Sequence, residues 1–161
     1  MNAVANAVRA LWVPLKEVNI LLPNVAIAEV VNYQPLDLIQ DGPDWLLGKL
    51  RWRNHELPIV SMERLCGYGF AQGESGSRIS IVNSVKPQSA LPFFAMVTAG
   101  IPRLFNADAD ALGDSIAESR SLPDTVDDCV RIGSEDALIP NLDVIQTLLE
   151  EAWKGHHVAT D

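Results

Sequence analysis

Trp45 to Leu65 reads WLLGKLRWRNHELPIVSMERL, and the rest of the chain is organised around it. Leu46, Gly48, Leu50 and Trp52 alternate with Leu47, Lys49, Arg51 and Arg53, which is the two-residue period of a strand with one buried face. Asn54-His55 interrupts the run. Asn tolerates positive φ better than most residues, so a tight turn is expected there. Glu56 to Val60 is a second short strand, with Leu57 and Ile59 on one face. Pro58 has no N–H to give a ladder, which predicts an edge strand. Ser61 caps a helical turn from Met62 to Leu65, ahead of Gly67. The unit is strand, turn, strand, capped turn, and it holds no catalytic machinery.

Upstream, Arg9 to Leu15 and Val18 to Leu22 are apolar runs separated by Lys16-Glu17, the pattern of a β-hairpin. Val25 to Tyr33 reads as the next strand. Alternation puts Val25, Ile27, Glu29, Val31 and Tyr33 on one face, with Glu29 alone among large apolar residues. A carboxylate there is costly unless it is paired or protonated. Gln40 to Asp44 is a turn. Downstream, Tyr68 to Ser77 is a Gly/Ser loop, and Arg78 to Lys86, Leu91 to Thr98 and Pro102 to Phe105 are further strand signals. Cys129 to Ile132 and Ala137 to Leu142 form a last strand pair around Gly133-Ser134. Asp143 with Gln146 forms a capping box for a final helix. Ile145, Leu148, Leu149 and Ala152 are its apolar stripe, and Gly155 is its expected C-cap.

Short strands with turn signals and little helix before the end predict an all-β barrel class. Leu57-Pro58-Ile59-Val60-Ser61 resembles Ile139-Pro140-Asn141-Leu142-Asp143, and the spacing of about eighty residues suggests two similar sub-barrels.

At 161 residues the chain suits one domain, or two small halves sharing a core. Apolar residues make up 48%, enough for a core. A net charge of −9 argues against nucleic acid and anionic membrane as partners. Most of that charge lies between Asn106 and Asp128. Two cysteines far apart, Cys66 and Cys129, and no signal-peptide pattern indicate a reduced, cytoplasmic protein. Asn19, Asn24 and Glu29 break the apolar stretch from Val18 to Val31, so it is no membrane span.

The motifs that suggest chemistry have simpler readings. Gly73-Glu74-Ser75-Gly76-Ser77 lacks the strand, helix and base that a serine nucleophile needs. Asn106 to Asp110 alternates oxygens like a calcium loop, but Ala111 and Ala117 stand where the loop requires Gly and Glu. His156-His157 lacks further ligands, and the cysteines lack zinc spacing, so they read as small buried hydrophobes. No cofactor or metal is expected. The most informative pair is Glu29 and Arg53: either Glu29 is an edge residue reaching water and Arg53 belongs to a basic strand face, or the two are partners across neighbouring strands. Arg binds a carboxylate through two parallel hydrogen bonds, which fixes geometry. Breaking such a pair when buried costs about 3–5 kcal/mol.

At these residues the chain resembles the CheW-like family of chemotaxis coupling proteins. Gly48, Arg53, Pro58, Leu65 and Gly67 hold that family's hairpin spacing. Ile27-Ala28-Glu29-Val30 is similar to its Val-x-Glu-Val strand, and Ile139, Pro140, Leu142 and Asp143 to its C-terminal ending. LLPNVAIAEV followed by DWLLGKLRW looks most like the ChpC-like branch of type IV pilus chemosensory systems. Asn54 stands for the usual Gly, and Ser61 for the usual Asp. The resemblance implies a single domain over residues 1–161, with loose tails at 1–8 and 156–161. It implies two five-stranded SH3-like β-barrel subdomains around a shared core, and a short C-terminal helix. It also implies a non-enzymatic adaptor between methyl-accepting chemoreceptors and the regulatory domain of a CheA-like histidine kinase. The alternative role is a CheW-like domain that binds a different signalling partner, or competes with the main coupling protein. An enzyme using the acidic loop or Ser75 is the reading from another class. Carried over by position, Glu29 and Arg53 fall on the family's acid–arginine pair near the receptor groove. Val25, Ile27, Val30 and Leu50 fall on the groove or its support.

Overall fold

The computed structural model describes residues 8–69, 76–86, 89–107, 115 and 121–157. In chain order they form β1 (Val8–Pro14), β2 (Asn19–Pro23), β3 (Ile27–Asn32), β4 (Asp37–Leu38), β5 (Leu46–Trp52) and β6 (His55–Val60). There follow α1 (Met62–Leu65), β7 (Arg78–Asn83), β8 (Phe93–Thr98), β9 (Arg103–Ala107), β10 (Val126–Ile132), β11 (Glu135–Pro140) and α2 (Leu142–His157). The fold is mostly β with a C-terminal helix, as the turn and strand signals predict. The strands make two mixed sheets, one ordered β10-β11-β2-β1-β9 and the other β3-β7-β8-β6-β5-β4. Residues 1–7 and 158–161, Gly73 to Ser75 of the serine motif and most of the acidic stretch lie outside the described residues.

The opening stretch forms a tight hairpin, but its turn sits one residue earlier than expected. Trp52 pairs with His55, so Arg53 and Asn54 are the turn residues. Both have positive φ, 48° and 67°. The two-residue loop suits the twist of the flanking strands only with both residues left-handed. β6 is also not an edge strand. It lies between β5 and the parallel β8, whose ladder takes up Ile59 and Val60. Pro58 stands one residue ahead of that ladder, so a missing N–H is tolerated inside the sheet.

The repeat is real, in a different register from the one the prolines suggest. Pro43-Asp44 and Pro123-Asp124 each open a turn, with Leu46 N–H donating to the Pro43 carbonyl and Val126 N–H to that of Pro123, both at 3.0 Å. Each first strand is bulged at its start, between Leu46 and Gly48 and between Val126 and Asp128. Leu46 faces Val60, and Val126 faces Pro140. Pro140 therefore corresponds to Val60, not to Pro58. The caps Ser61 and Asn141 donate their N–H groups to the Trp45 and Thr125 carbonyls at 2.8 and 2.7 Å. The capping oxygens accept from Arg64 N–H at 3.2 Å and from Val144 N–H at 3.0 Å. Asn141, two residues before the expected Asp143, is thus the cap of α2. Gln146 is no box partner; it donates to Ser89 Oγ and the Leu91 carbonyl at 3.2 and 3.1 Å. Nor does Gly155 end the helix, which runs to His157.

Both bulges have a packing consequence. They turn Leu46 and Val126 into the largest apolar cluster, which joins the two sheets and the helix through Ile20, Leu22, Met62, Phe94, Met96, Leu138, Ile145 and Leu149. The strict alternation expected of β5 fails at this point: Leu46 faces the shared core, whereas Leu50 and Trp52 face a second cluster. That second cluster, with Leu57, Ile59, Ile79, Ile81, Ala95 and Val97, comes from the strands of one sheet alone. Trp12, Leu21, Val130 and Ala137 make a matching small cluster in the other sheet. Each sheet is therefore apolar on both faces. Cys66 and Cys129 are buried without forming a disulfide. Burial pushes the Cys66 thiol up to about 12, with a smaller push from the nearby Glu63.

Glu63, in α1, ties the first hairpin to the second. Lys16 N–H donates to its Oε2 at 2.6 Å. Burial raises its carboxyl above the ordinary range, against the lowering effect of that hydrogen bond.

Gly48 lets β4 approach β5 closely. A Cβ there would lie 2.5 Å from the Asp37 carbonyl oxygen and 3.1 Å from its carbon. The obstruction is backbone, so nothing can swing aside. Gly48→Ala is expected to destabilise the fold by about 1–3 kcal/mol, the range for overpacking. Urea unfolding checks this, and an unchanged midpoint would contradict it.

Candidate functional site

Three side chains meet where the β5–β6 turn comes over β3. Arg53 Nη2 lies 2.9 Å from Glu29 Oε1. Trp52 Nε1 donates to the same oxygen at 3.0 Å. The Arg53 guanidinium lies 5.0 Å from the centroid of the Trp52 ring. Trp52 in turn meets the edge of Phe93 at 4.9 Å between ring centroids and stacks beside His55 at 6.3 Å.

Local structure places each member. β3 is bulged between Ile27 and Glu29, with Ile27 facing Val82 and Glu29 facing the next residue, Ile81. The bulge reverses the faces on either side. Ile27 packs on the shared core, and Val31 and Tyr33 pack on the second cluster, with Glu29 on their side. The single apolar face expected of Val25 to Tyr33 is thus divided, and Glu29 stands at a rim rather than within a core. Glu29 and Arg53 are partners, but not across neighbouring strands: β3 and β5 lie four places apart in sheet order. In a flat sheet that is roughly 19 Å. A hydrogen bond across them requires the sheet to curl strongly.

Arg53 occupies the position where the second repeat has Gly133, which has φ 64°. Left-handed backbone without glycine costs about 1–2 kcal/mol. The Arg53 side chain offsets part of that cost through its contacts with Glu29 and the Trp52 ring. The pair is not buried: the side chains of Arg53 and Glu29 are 69% and 36% exposed. The large penalty expected for breaking a buried pair does not apply to it. The values for exposed pairs do.

The four positions assigned to a groove are dispersed. Val25, at 74% exposure, lies in the turn before β3. Val30 is half-buried beside Ser80, Ile27 faces the shared core, and Leu50 is buried in the second cluster. Trp52 was missed as a site residue, although it shares the alternating face of Leu50 and its indole N–H needs an acceptor when partly buried. Among the described residues, no group of three or more His, Cys, Asp or Glu could hold a metal. No helix among them is long and apolar enough to cross a membrane.

Residues 9–151 match the family model described as the CheW-like domain. The chain belongs to the CheW-like family. Among solved structures, it is similar to the crystal structure of scaffolding protein TtCheW from Thermoanaerobacter tengcongensis. The TM-score is 0.67 at 16% identity, over 84% of this chain and 85% of that one. No curated protein sequence matches this CheW-like chain.

A double-mutant cycle with Glu29→Gln and Arg53→Gln should return a coupling of about 0.5–1 kcal/mol. Arg53→Gly should be more stable than Arg53→Gln by about 1 kcal/mol, because glycine relieves the left-handed backbone. Denaturant unfolding reads both. A coupling of 3 kcal/mol or more would show that the pair behaves as a buried one.

Proposed function

We propose that this CheW-like chain is a non-enzymatic cytoplasmic adaptor that couples methyl-accepting chemoreceptors to a CheA-like histidine kinase. The family match over residues 9–151 carries the reading. A scaffold needs exposed apolar surface with a polar rim, and little else. Val25, exposed in the turn that leads into the strand carrying Glu29, is apolar surface of that kind. The receptor tip is assigned to β3 and the β5–β6 turn, with Glu29 and Arg53 as orienting charges and Val25 and Val30 as apolar contacts. Ile27 and Leu50 support that surface from beneath. The kinase regulatory domain, itself CheW-like, is assigned to strand edges elsewhere.

We also infer that each sheet closes as an SH3-like barrel, with the largest apolar cluster shared between the two. Two observations support this: each sheet is apolar on both faces, and a side-chain bond joins strands four places apart. LLPNVAIAEV and DWLLGKLRW support placement in the ChpC-like branch and a type IV pilus system.

Glu29→Lys and Arg53→Glu should each weaken binding of the cognate receptor tip at least about tenfold, because like charges at a rim repel the correct partner. Binding to the kinase regulatory domain should stay within about twofold of wild type. Calorimetric titration of each purified partner measures this, with circular dichroism confirming the fold. Binding to neither partner by the wild-type chain would overturn the adaptor reading.

A further inference from the structure

The connection from β2 to β3 carries the chain from one sheet to the other. It is a four-residue turn, closed by Ala26 N–H donating to the Pro23 carbonyl at 2.9 Å, with Asn24 and Val25 at its centre. Asn suits such a place and valine does not, because turn centres favour Gly, Asn, Asp, Ser and Pro. Nor does Val25 pack inward. It is 74% exposed, whereas Ala26 beside it is buried in the shared core. Neither turn propensity nor burial fixes the backbone at Val25.

Asn83, the last residue of β7, does so. Its backbone N–H donates to the Ala26 carbonyl at 2.7 Å, one residue past the Ile27–Val82 pair of the β3–β7 ladder. Its side-chain Nδ2 donates to the Val25 carbonyl at 2.9 Å. The two bonds hold successive carbonyls, so the peptide groups that follow Val25 and Ala26 are both fixed. A valine side chain is stiff at χ1. With its backbone held, its two methyl groups keep one direction. Asn83 is itself braced through the β7–β8 loop. Ser84 N–H donates to the Pro92 carbonyl at 2.9 Å, Gln146 of α2 donates to the Leu91 carbonyl at 3.1 Å, and Ser89 donates to the Glu150 carboxylate. The loop thus links the helix to the turn.

We propose that Asn83 is a positioning residue of the receptor-facing surface: by holding the Val25 carbonyl, it presents the Val25 side chain to the receptor tip in one fixed orientation. An apolar contact ordered before binding loses less conformational freedom when the partner docks. The proposal rests on the reading of Val25 as an apolar receptor contact. It adds a residue that acts through the chain's own turn rather than by touching the partner.

The test titrates the cognate receptor tip into the full chain and four variants by calorimetry: Val25→Ser, Asn83→Ala, the two combined, and Asn83→Asp. The last keeps the shape of the side chain but cannot donate to a carbonyl when ionised. Val25→Ser should weaken binding at least about threefold, from the lost apolar contact. Asn83→Ala and Asn83→Asp should each weaken it about three- to tenfold, the range for one hydrogen bond. In the Val25→Ser background, Asn83→Ala should change affinity by less than about 1.5-fold, because a residue that acts through Val25 has nothing left to position. A merely structural role would give losses that multiply instead. The proposal alone is overturned if the wild type binds the tip and either Asn83 variant binds as tightly, if Val25→Ser binds like wild type, or if the two losses multiply in the double variant. A wild-type chain that binds neither the receptor tip nor the kinase regulatory domain overturns the adaptor reading, and this proposal with it.

Discussion

A flat sheet cannot join its first strand to its fifth through a pair of side chains. Trp52 and Glu29 are joined in this way, at 3.0 Å, from strands four places apart. The sheet has to curl, and the curl brings Leu50, Leu57, Ile59, Ile79, Ile81, Ala95 and Val97, all from that sheet's own strands, against one another in one cluster. The same bond orients a carboxylate toward the turn, where Arg53 meets it. The half-exposed pair contributes little stability by itself. Its consequence is geometric: it fixes which charges stand at the rim.

The opposite face of the same strands has another task. Bulges at equivalent places in β5 and β10 direct Leu46 and Val126 into the shared core, so two hairpins of similar design pack on one interior. The capped turn after each hairpin completes the unit. In the first repeat α1 is four residues long, and Glu63 fastens it to Lys16 in the β1–β2 turn. In the second, the cap opens the long α2, which covers the core with Ile145, Leu149 and Trp153. One pattern thus yields a short clasp and a covering helix, because the sequences after the caps differ.

Much of this was legible in the chain. Alternation and turn residues located most strands, and Ser61 revealed its cap directly. Glu29 among apolar residues pointed to Arg53 as a partner. What alternation alone cannot show is a bulge, because one inserted residue reverses every face beyond it. That is why Leu46 and Ile27 were assigned to the wrong faces. Pro58 misled for a related reason. A proline excludes one hydrogen bond, not a whole strand, and the β8 ladder begins one residue later. Trp52 was overlooked because its role depends on a strand distant in sheet order. The prolines at 58 and 140 suggested the repeat in a shifted register, whereas the Pro-Asp turns at 43 and 123 fix it.

The receptor-facing surface proposed for this CheW-like chain is the Glu29–Trp52–Arg53 rim. The Trp52 indole N–H reports on it directly, since its proton is held by Glu29. Titrating the cognate receptor tip into protein carrying ¹⁵N-labelled tryptophan should shift the Trp52 indole resonance saturably and leave those of Trp12 and Trp153 in place. A receptor tip that binds while the Trp52 resonance stays unmoved would contradict the account.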